Sequence, residues 1–242
     1  MQLLHKNKYR ALHDWFATPQ GTAAGFAIAR EIMKHTESLT GFTLAQLGMC
    51  GTNPWLEHMS FTRQWVLSPC VEQKGSAMVC AFNALPFDRN SLDCVIVPFG
   101  IEVFGLQTNL LDEVDRVLRP MGHAVFIGIN PWSLWGAGMR FGRAVFMGQA
   151  HTHLSSSLLL HNALMHRGLQ QTAFSSFYYT PPVHAMRWIK RFDFLNEMGK
   201  MVWPLPPAFY CMVAQKYQCI APSLRPQVLR APVSTLPLAT GV

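Results

Sequence analysis

The chain has 242 residues, half of them hydrophobic and only 14% charged, so it is long enough to bury a core without disulfides or metals and too apolar for global disorder. The formal net charge is +7, but the basic residues are scattered, with Lys6, Lys8 and Arg10 at the start and Lys200, Lys216, Arg225 and Arg230 after the last acid, Glu197; no interleaved basic and aromatic motif marks a nucleic-acid groove, so no nucleic-acid partner is expected. Cys50, Cys70, Cys80, Cys94, Cys211 and Cys219 stand mainly in or beside apolar runs with no Cys-x-x-Cys pair, the pattern of buried free thiols in a reducing compartment rather than of a disulfide frame or a zinc site.

In chain order, Tyr9 to Phe16 and Gly21 to His35 read as a helical pair broken at Pro19 and Gly21, with Ile28, Ile32 and Met33 on one face. Phe42 to Leu47 reads as a first strand leading into Gly48-Met49-Cys50-Gly51. Gln64 to Leu67 is a second strand and Ser76 to Cys80 a third. Leu92 to Val97, nearly all apolar and rich in β-branched residues, is a fourth strand covered on both faces. Leu110, Leu111, Val114, Val117 and Leu118 then recur at helical spacing, and Pro120 and Gly122 are read as the stop of that helix. His123 to Ile129 is a fifth strand, which makes a right-handed βαβ unit with the fourth.

Beyond Asn130-Pro131-Trp132-Ser133-Leu134-Trp135-Gly136, helices are expected over Gly138 to Met147, Leu154 to Leu164 and Met186 to Met201. Strands are expected over Leu169 to Tyr179 and Ala208 to Lys216. The Pro-containing tail from Ala221 carries no sustained pattern and is expected to be extended or mobile. His151, His153, His161 and His166 lack the spacing and acidic company of a metal site, so no metal is expected. Met139, Phe141, Val145, Phe146 and Met147, rimmed by Arg140 and Arg143, suit core packing better than a lipid-facing surface, although peripheral membrane contact stays open. The N-terminus lacks the apolar core of a signal peptide, and no apolar run is long enough to span a bilayer, so the expected location is the cytoplasm.

Four pieces carry a family resemblance: Leu85-Pro86-Phe87-Asp88, Ser91-Leu92-Asp93, Ile101-Glu102-Val103-Phe104, and Leu111-x-Glu113-x-x-Arg116-Val117-Leu118-Arg119-Pro120-x-Gly122. In this order and spacing they resemble the second half of class I S-adenosylmethionine-dependent methyltransferases, most closely the type 11 branch. The resemblance implies a Rossmann-like α/β fold: a seven-stranded, mostly parallel sheet with an antiparallel last strand and helices on both faces. It places residues 1–220 in a single domain, with N-terminal helices over 1–37, an acceptor-side elaboration over 132–207 and a flexible tail over 221–242.

It further implies that S-adenosylmethionine is the cofactor, held by Gly48, Met49, Cys50 and Gly51 at its amino-acid part, by Glu72 at the ribose, by Phe82 and Asn83 at the adenine, and by Pro98 and Phe99 toward the methyl group. Three anchors depart from the family pattern. Gln46 stands where an acid is common, Glu72 lies late for the ribose, and Ala81 occupies the place of an adenine-binding aspartate. Asn130, Trp132 and Trp135 are the candidate acceptor pocket, and Glu102, His151 and Tyr178 the candidate bases, with Glu102 read first as a helix N-terminal acid facing the dipole. The resulting expectation is methyl transfer to a small-molecule acceptor. The alternative is a non-catalytic binding or scaffolding protein of the same fold that has lost efficient cofactor binding.

Overall fold

The computed structural model describes residues 2–70, 78–106, 109–141, 154–182, 186–192, 194, 196 and 206–217. Helices α1 (Gln2–Phe16) and α2 (Pro19–Met33) precede β1 (Gly41–Leu47), β2 (Phe61–Ser68), β3 (Met78–Val79) and β4 (Leu92–Pro98). A short α3 (Gly100–Phe104) and α4 (Leu110–Val117) lead to β5 (Leu118–Ile129). They are followed by α5 (Leu134–Arg140), α6 (Ser157–Met165), β6 (Leu169–Phe177), α7 (Met186–Phe192) and β7 (Phe209–Lys216). The seven strands form one sheet in the order β3-β2-β1-β4-β5-β7-β6, in which β7 alone runs antiparallel to its neighbours. This is the expected Rossmann-like class I arrangement.

The chain passes from β1 outward to β2 and β3, then returns to place β4 on the other side of β1, so the strand order reverses between β1 and β4. In an open α/β sheet such a reversal leaves a crevice at the carboxyl ends of the strands, and ligands bind there. All seven residues of β4 are buried, as its apolar composition requires of the central strand.

The sequence pieces that carried the family resemblance prove to be fold anchors. Arg116 donates from Nη1 to the Phe87 carbonyl at 2.9 Å and from Nη2 to the Leu85 carbonyl at 3.0 Å, while its partner Glu113 accepts from the Leu85 amide at 2.8 Å. The guanidinium also pairs with both Glu113 oxygens and so holds that carboxyl below its usual pKa. One ion pair thus ties the Leu-Pro-Phe loop to α4. Asp93 works similarly: its Oδ2 accepts from the amides of Phe42 and Thr43 at 2.6 and 2.8 Å, fixing the start of β1 against β4, and Arg119 pairs with its other oxygen.

Some boundaries differ from expectation. Helix α4 ends at Val117, before Pro120, because Leu118 already adopts extended backbone and opens β5. Pro120 lies inside that strand where its register against β4 shifts, a bulge that tolerates a residue without an amide donor. Helix α5 starts at Leu134, capped by Ser133 Oγ on the Gly136 amide at 3.1 Å, so Trp135 is helical and not part of a loop. The tail from 218 onward lies outside the described residues. Cys50, Cys70, Cys80, Cys94 and Cys211 are free thiols, all but Cys80 buried. Among the described residues no helix is long and apolar enough to cross a membrane, and no cluster of three metal-ligating side chains occurs.

Candidate functional site at the carboxyl edge of the sheet

Beyond the end of β1, Gly48 and Gly51 both take positive φ, 102° and 60°, which lets the chain fold back tightly over the strand ends. The side chain that replaces the family's acid is committed to this turn. Gln46 is fully buried and donates from Nε2 to the Gly48 carbonyl at 2.8 Å and to Asn53 Oδ1 at 2.7 Å. Its Oε1 accepts from Trp55 Nε1 at 2.7 Å, and Asn53 Oδ1 also accepts from the Cys50 amide at 2.9 Å. The glutamine is therefore satisfied from within, by a network that the sequence reading did not include. Its sequence signal is modest: an Asn and a Trp flanking Pro54 just after the glycine turn.

Helix α1 lies across this turn. Lys8, Tyr9, Leu12, Trp15 and Phe16 make up its buried face, at helical spacing, while Lys6, Asn7, Arg10 and Asp14 are exposed. The Tyr9 ring sits on Gly48 so closely that a Cβ there would lie 2.5 Å from Tyr9 Cε1, and Phe16 covers Gly51 with its Cβ 3.0 Å from the corresponding point. Tyr9 meets Phe82 edge-on at 5.2 Å between ring centroids and Phe104 at 5.9 Å. Phe16 meets Phe99 at 6.0 Å. Lys8, itself buried, donates to the Val103 carbonyl at 3.5 Å, and burial pulls its ammonium pKa down. The corners after β1, β3 and β4 thus converge on one place, and aromatic side chains meet there.

Glu102 stands in the first turn of α3, as expected, but it is buried there. It is fully buried on a helix too short to have much dipole, and its Oε1 accepts from the Ile129 amide at 2.7 Å. Burial raises its pKa to about 7, against the lowering effect of that backbone hydrogen bond. Gly128 makes room for it: a Cβ at 128 would stand 2.3 Å from Tyr210 Oη and 2.8 Å from Glu102 Oε1. Tyr9 Oη, Glu102 Oε2 and Tyr210 Oη are buried with no hydrogen-bond partner among the described residues, and the Glu102 charge raises the pKa of both tyrosines beyond what burial does. Tyr9 and Tyr210 were not singled out from the sequence, where each is one aromatic among many.

A family model described as a methyltransferase domain of the type 11 branch matches residues 52–126, from the glycine turn through most of β5. That stretch is similar to a methyltransferase domain, and the strand order around it is that of the class I methyltransferase fold. Among solved structures, a Thermotoga maritima methyltransferase described as a possible histamine N-methyltransferase superposes with a TM-score of 0.59 at 13% identity, covering 89% of this chain and 100% of that one. Geranyl diphosphate C-methyltransferase of Streptomyces coelicolor, in complex with S-adenosyl-L-homocysteine, gives 0.53 at 15%, covering 78% of each chain. A Mesorhizobium loti S-adenosylmethionine-dependent methyltransferase gives 0.53 at 16%, covering 77% and 96%. At such identities the likeness shows the fold. No curated protein matches the sequence.

The glycine turn and the strand-order reversal of a class I fold are present, and among the described residues the side chains at this crevice pack on one another. Cys50 is fully buried, Phe82 meets Tyr9 edge-on, and Phe99, at φ 53°, packs between Phe16 and Phe209. Met49 is buried, Pro98 closes β4, and Asn83 is exposed. Glu72 and His151 lie outside the described residues.

The three residues expected to form an acceptor pocket separate. Trp132 is 76% exposed, and Asn130 caps the following turn by accepting from the Trp132 amide at 3.1 Å. Trp135 is buried and donates from Nε1 to the Thr180 carbonyl at 2.9 Å, with Trp15, Tyr178 and Phe209 around its ring. Tyr178, at φ 68° and stacked on Phe209, borders a cavity of about 440 Å³ between α2 and the end of β6, lined also by Phe26, Arg30, Lys34, Tyr179 and Asn196. Met139 is buried in the core while Phe141 is 75% exposed, which divides the apolar face expected there; the rest of that face lies outside the described residues.

Proposed function

We propose that the protein is an S-adenosylmethionine-dependent methyltransferase acting on a small-molecule acceptor. The observation that carries this reading is the convergence of Gly48, Gly51, Phe82 and Phe99 on the crevice between β1 and β4, within a chain whose residues 52–126 match the family. When bound, the donor supplies an already electrophilic methyl group, so the protein chiefly has to orient two ligands and exclude water. The Gly48–Gly51 turn would hold its amino-acid part, Asn83 and Phe82 its adenine, Glu72 its ribose, and Pro98 and Phe99 its methyl end.

Glu102 is the residue suited to hold or take a proton from an acceptor, because burial tunes it close to neutrality and it lies at the carboxyl ends of β4 and β5. The cavity beside Tyr178 supports the choice of a small acceptor: its volume of about 440 Å³ falls within the usual range for such ligands, about 300 to 1,000 Å³. Equilibrium dialysis with labelled S-adenosylmethionine tests the reading. Retention that unlabelled S-adenosylhomocysteine displaces is the expected result.

A second reading, a non-catalytic protein of the same fold, draws on the internally satisfied Gln46 and on the aromatic filling of the donor place. It requires that no retention occur even at millimolar donor, in the wild type and in chains whose α1 face has been trimmed.

A further inference from the structure

We propose that α1 is an intramolecular plug: it occupies the place a nucleoside would take, and the donor site forms only when this helix withdraws. The inference rests on the methyltransferase reading and adds a conformational control to it. Three observations converge. First, the contacts of α1 fall on the elements that build the donor crevice: Tyr9 on Gly48 of the glycine turn, on Phe82 after β3 and on Phe104 of α3, and Phe16 on Gly51 and on Phe99 after β4.

Second, the seat is incompletely satisfied. It buries the Tyr9 hydroxyl without a hydrogen-bond partner among the described residues, and it buries the Lys8 ammonium on a long contact to the Val103 carbonyl. Unmade hydrogen bonds of this kind lower the cost of leaving. Third, α1 is built to leave as a unit. Its first turn carries no acid and its outer face is polar, and α2 has a cap of its own, the Thr18 side chain accepting from the Gly21 amide at 3.1 Å, so α1 can swing about the short Ala17–Thr18 joint.

Hydrogen exchange followed by mass spectrometry on the full chain, with and without saturating S-adenosylhomocysteine, decides the matter. Ligands ordinarily slow exchange where they bind; here the amides of residues 2–16 should exchange faster in the ligand's presence, while the Gly48–Gly51 turn slows. Calorimetry should show Tyr9→Ala binding S-adenosylhomocysteine roughly tenfold more tightly than wild type, because the fraction of binding-competent molecules rises, and Tyr9→Phe, which keeps the ring and removes the unpartnered hydroxyl, binding no more tightly than wild type.

If S-adenosylhomocysteine binds and residues 2–16 stay unchanged or become slower, the plug is refuted while the methyltransferase reading stands. If neither wild type nor Tyr9→Ala binds at millimolar ligand, both fall. Should Tyr9→Ala fail to fold by circular dichroism, exchange on the wild type alone still decides.

Discussion

Gln46 shows how one substitution changes the character of a site. A carboxylate there would leave the Gly48 carbonyl and Asn53 Oδ1, which now accept from Nε2, facing an oxygen with no proton to give. Gln46→Glu should therefore destabilise the fold by about 2 to 5 kcal/mol, read from urea unfolding, since it buries an uncompensated charge, takes the side-chain donor from the Gly48 carbonyl and leaves Asn53 Oδ1 only the Cys50 amide.

Glu102 sets a pH dependence. Its pKa rises from 4.5 to about 7 on folding, so the native state holds the proton more tightly than the unfolded chain. Its protonated form is favourable below pH 4.5, and that contribution is lost as pH rises through 7. Relative to Glu102→Gln, the wild type should lose stability between pH 4.5 and 7, on the order of 3 kcal/mol in all. Parallel curves for the two proteins would mean that Glu102 titrates normally. The acid itself was visible in the sequence, but its burial was not. Only the packing of α3 under β5, with Gly128 leaving space, places it there.

At the scale of elements, the α1–α2 hairpin is where sequence and structure differ most usefully. Both helices were legible from their apolar spacing and from Pro19, although α1 extends back to Gln2, through a polar stretch that gives no periodic signal. Where α1 packs was not legible, because an amphipathic stripe specifies that a face is covered and not by what. The hairpin's closeness depends on Gly21, where a Cβ would lie 2.1 Å from the Trp15 carbonyl oxygen. Gly21→Ala should force the two helices apart and cost about 1 to 3 kcal/mol in thermal or chemical unfolding, with exchange at residues 2–16 accelerated even without ligand. The fourth and fifth strands were read nearly correctly for a different reason. They are continuous apolar runs buried on both faces, and such runs leave little ambiguity between layers.

Across the whole molecule, the sheet order was accessible because the motif between Leu85 and Gly122 encodes tertiary contacts within a short stretch. Arg116 and Glu113 clasp the Leu-Pro-Phe loop, and Asp93 fixes β1 against β4. Arg116→Ala should thus weaken the fold by about 1.5 to 3 kcal/mol through its lost carbonyl contacts, with a broader effect than its position on the surface suggests. The donor site was less accessible, since whether it is open depends on a helix contributed from the other end of the chain. The same fold can present a nucleoside crevice or a filled core, and the difference lies in where Tyr9 sits.

The most direct measurement is a crystal structure of the full chain grown with S-adenosylhomocysteine. Density for the nucleoside against Gly48, Gly51 and Phe82, with α1 displaced from the Tyr9 seat, is the expected result. A chain that keeps Tyr9 on Gly48 under saturating ligand, with no nucleoside at the β1–β4 crevice, would contradict it.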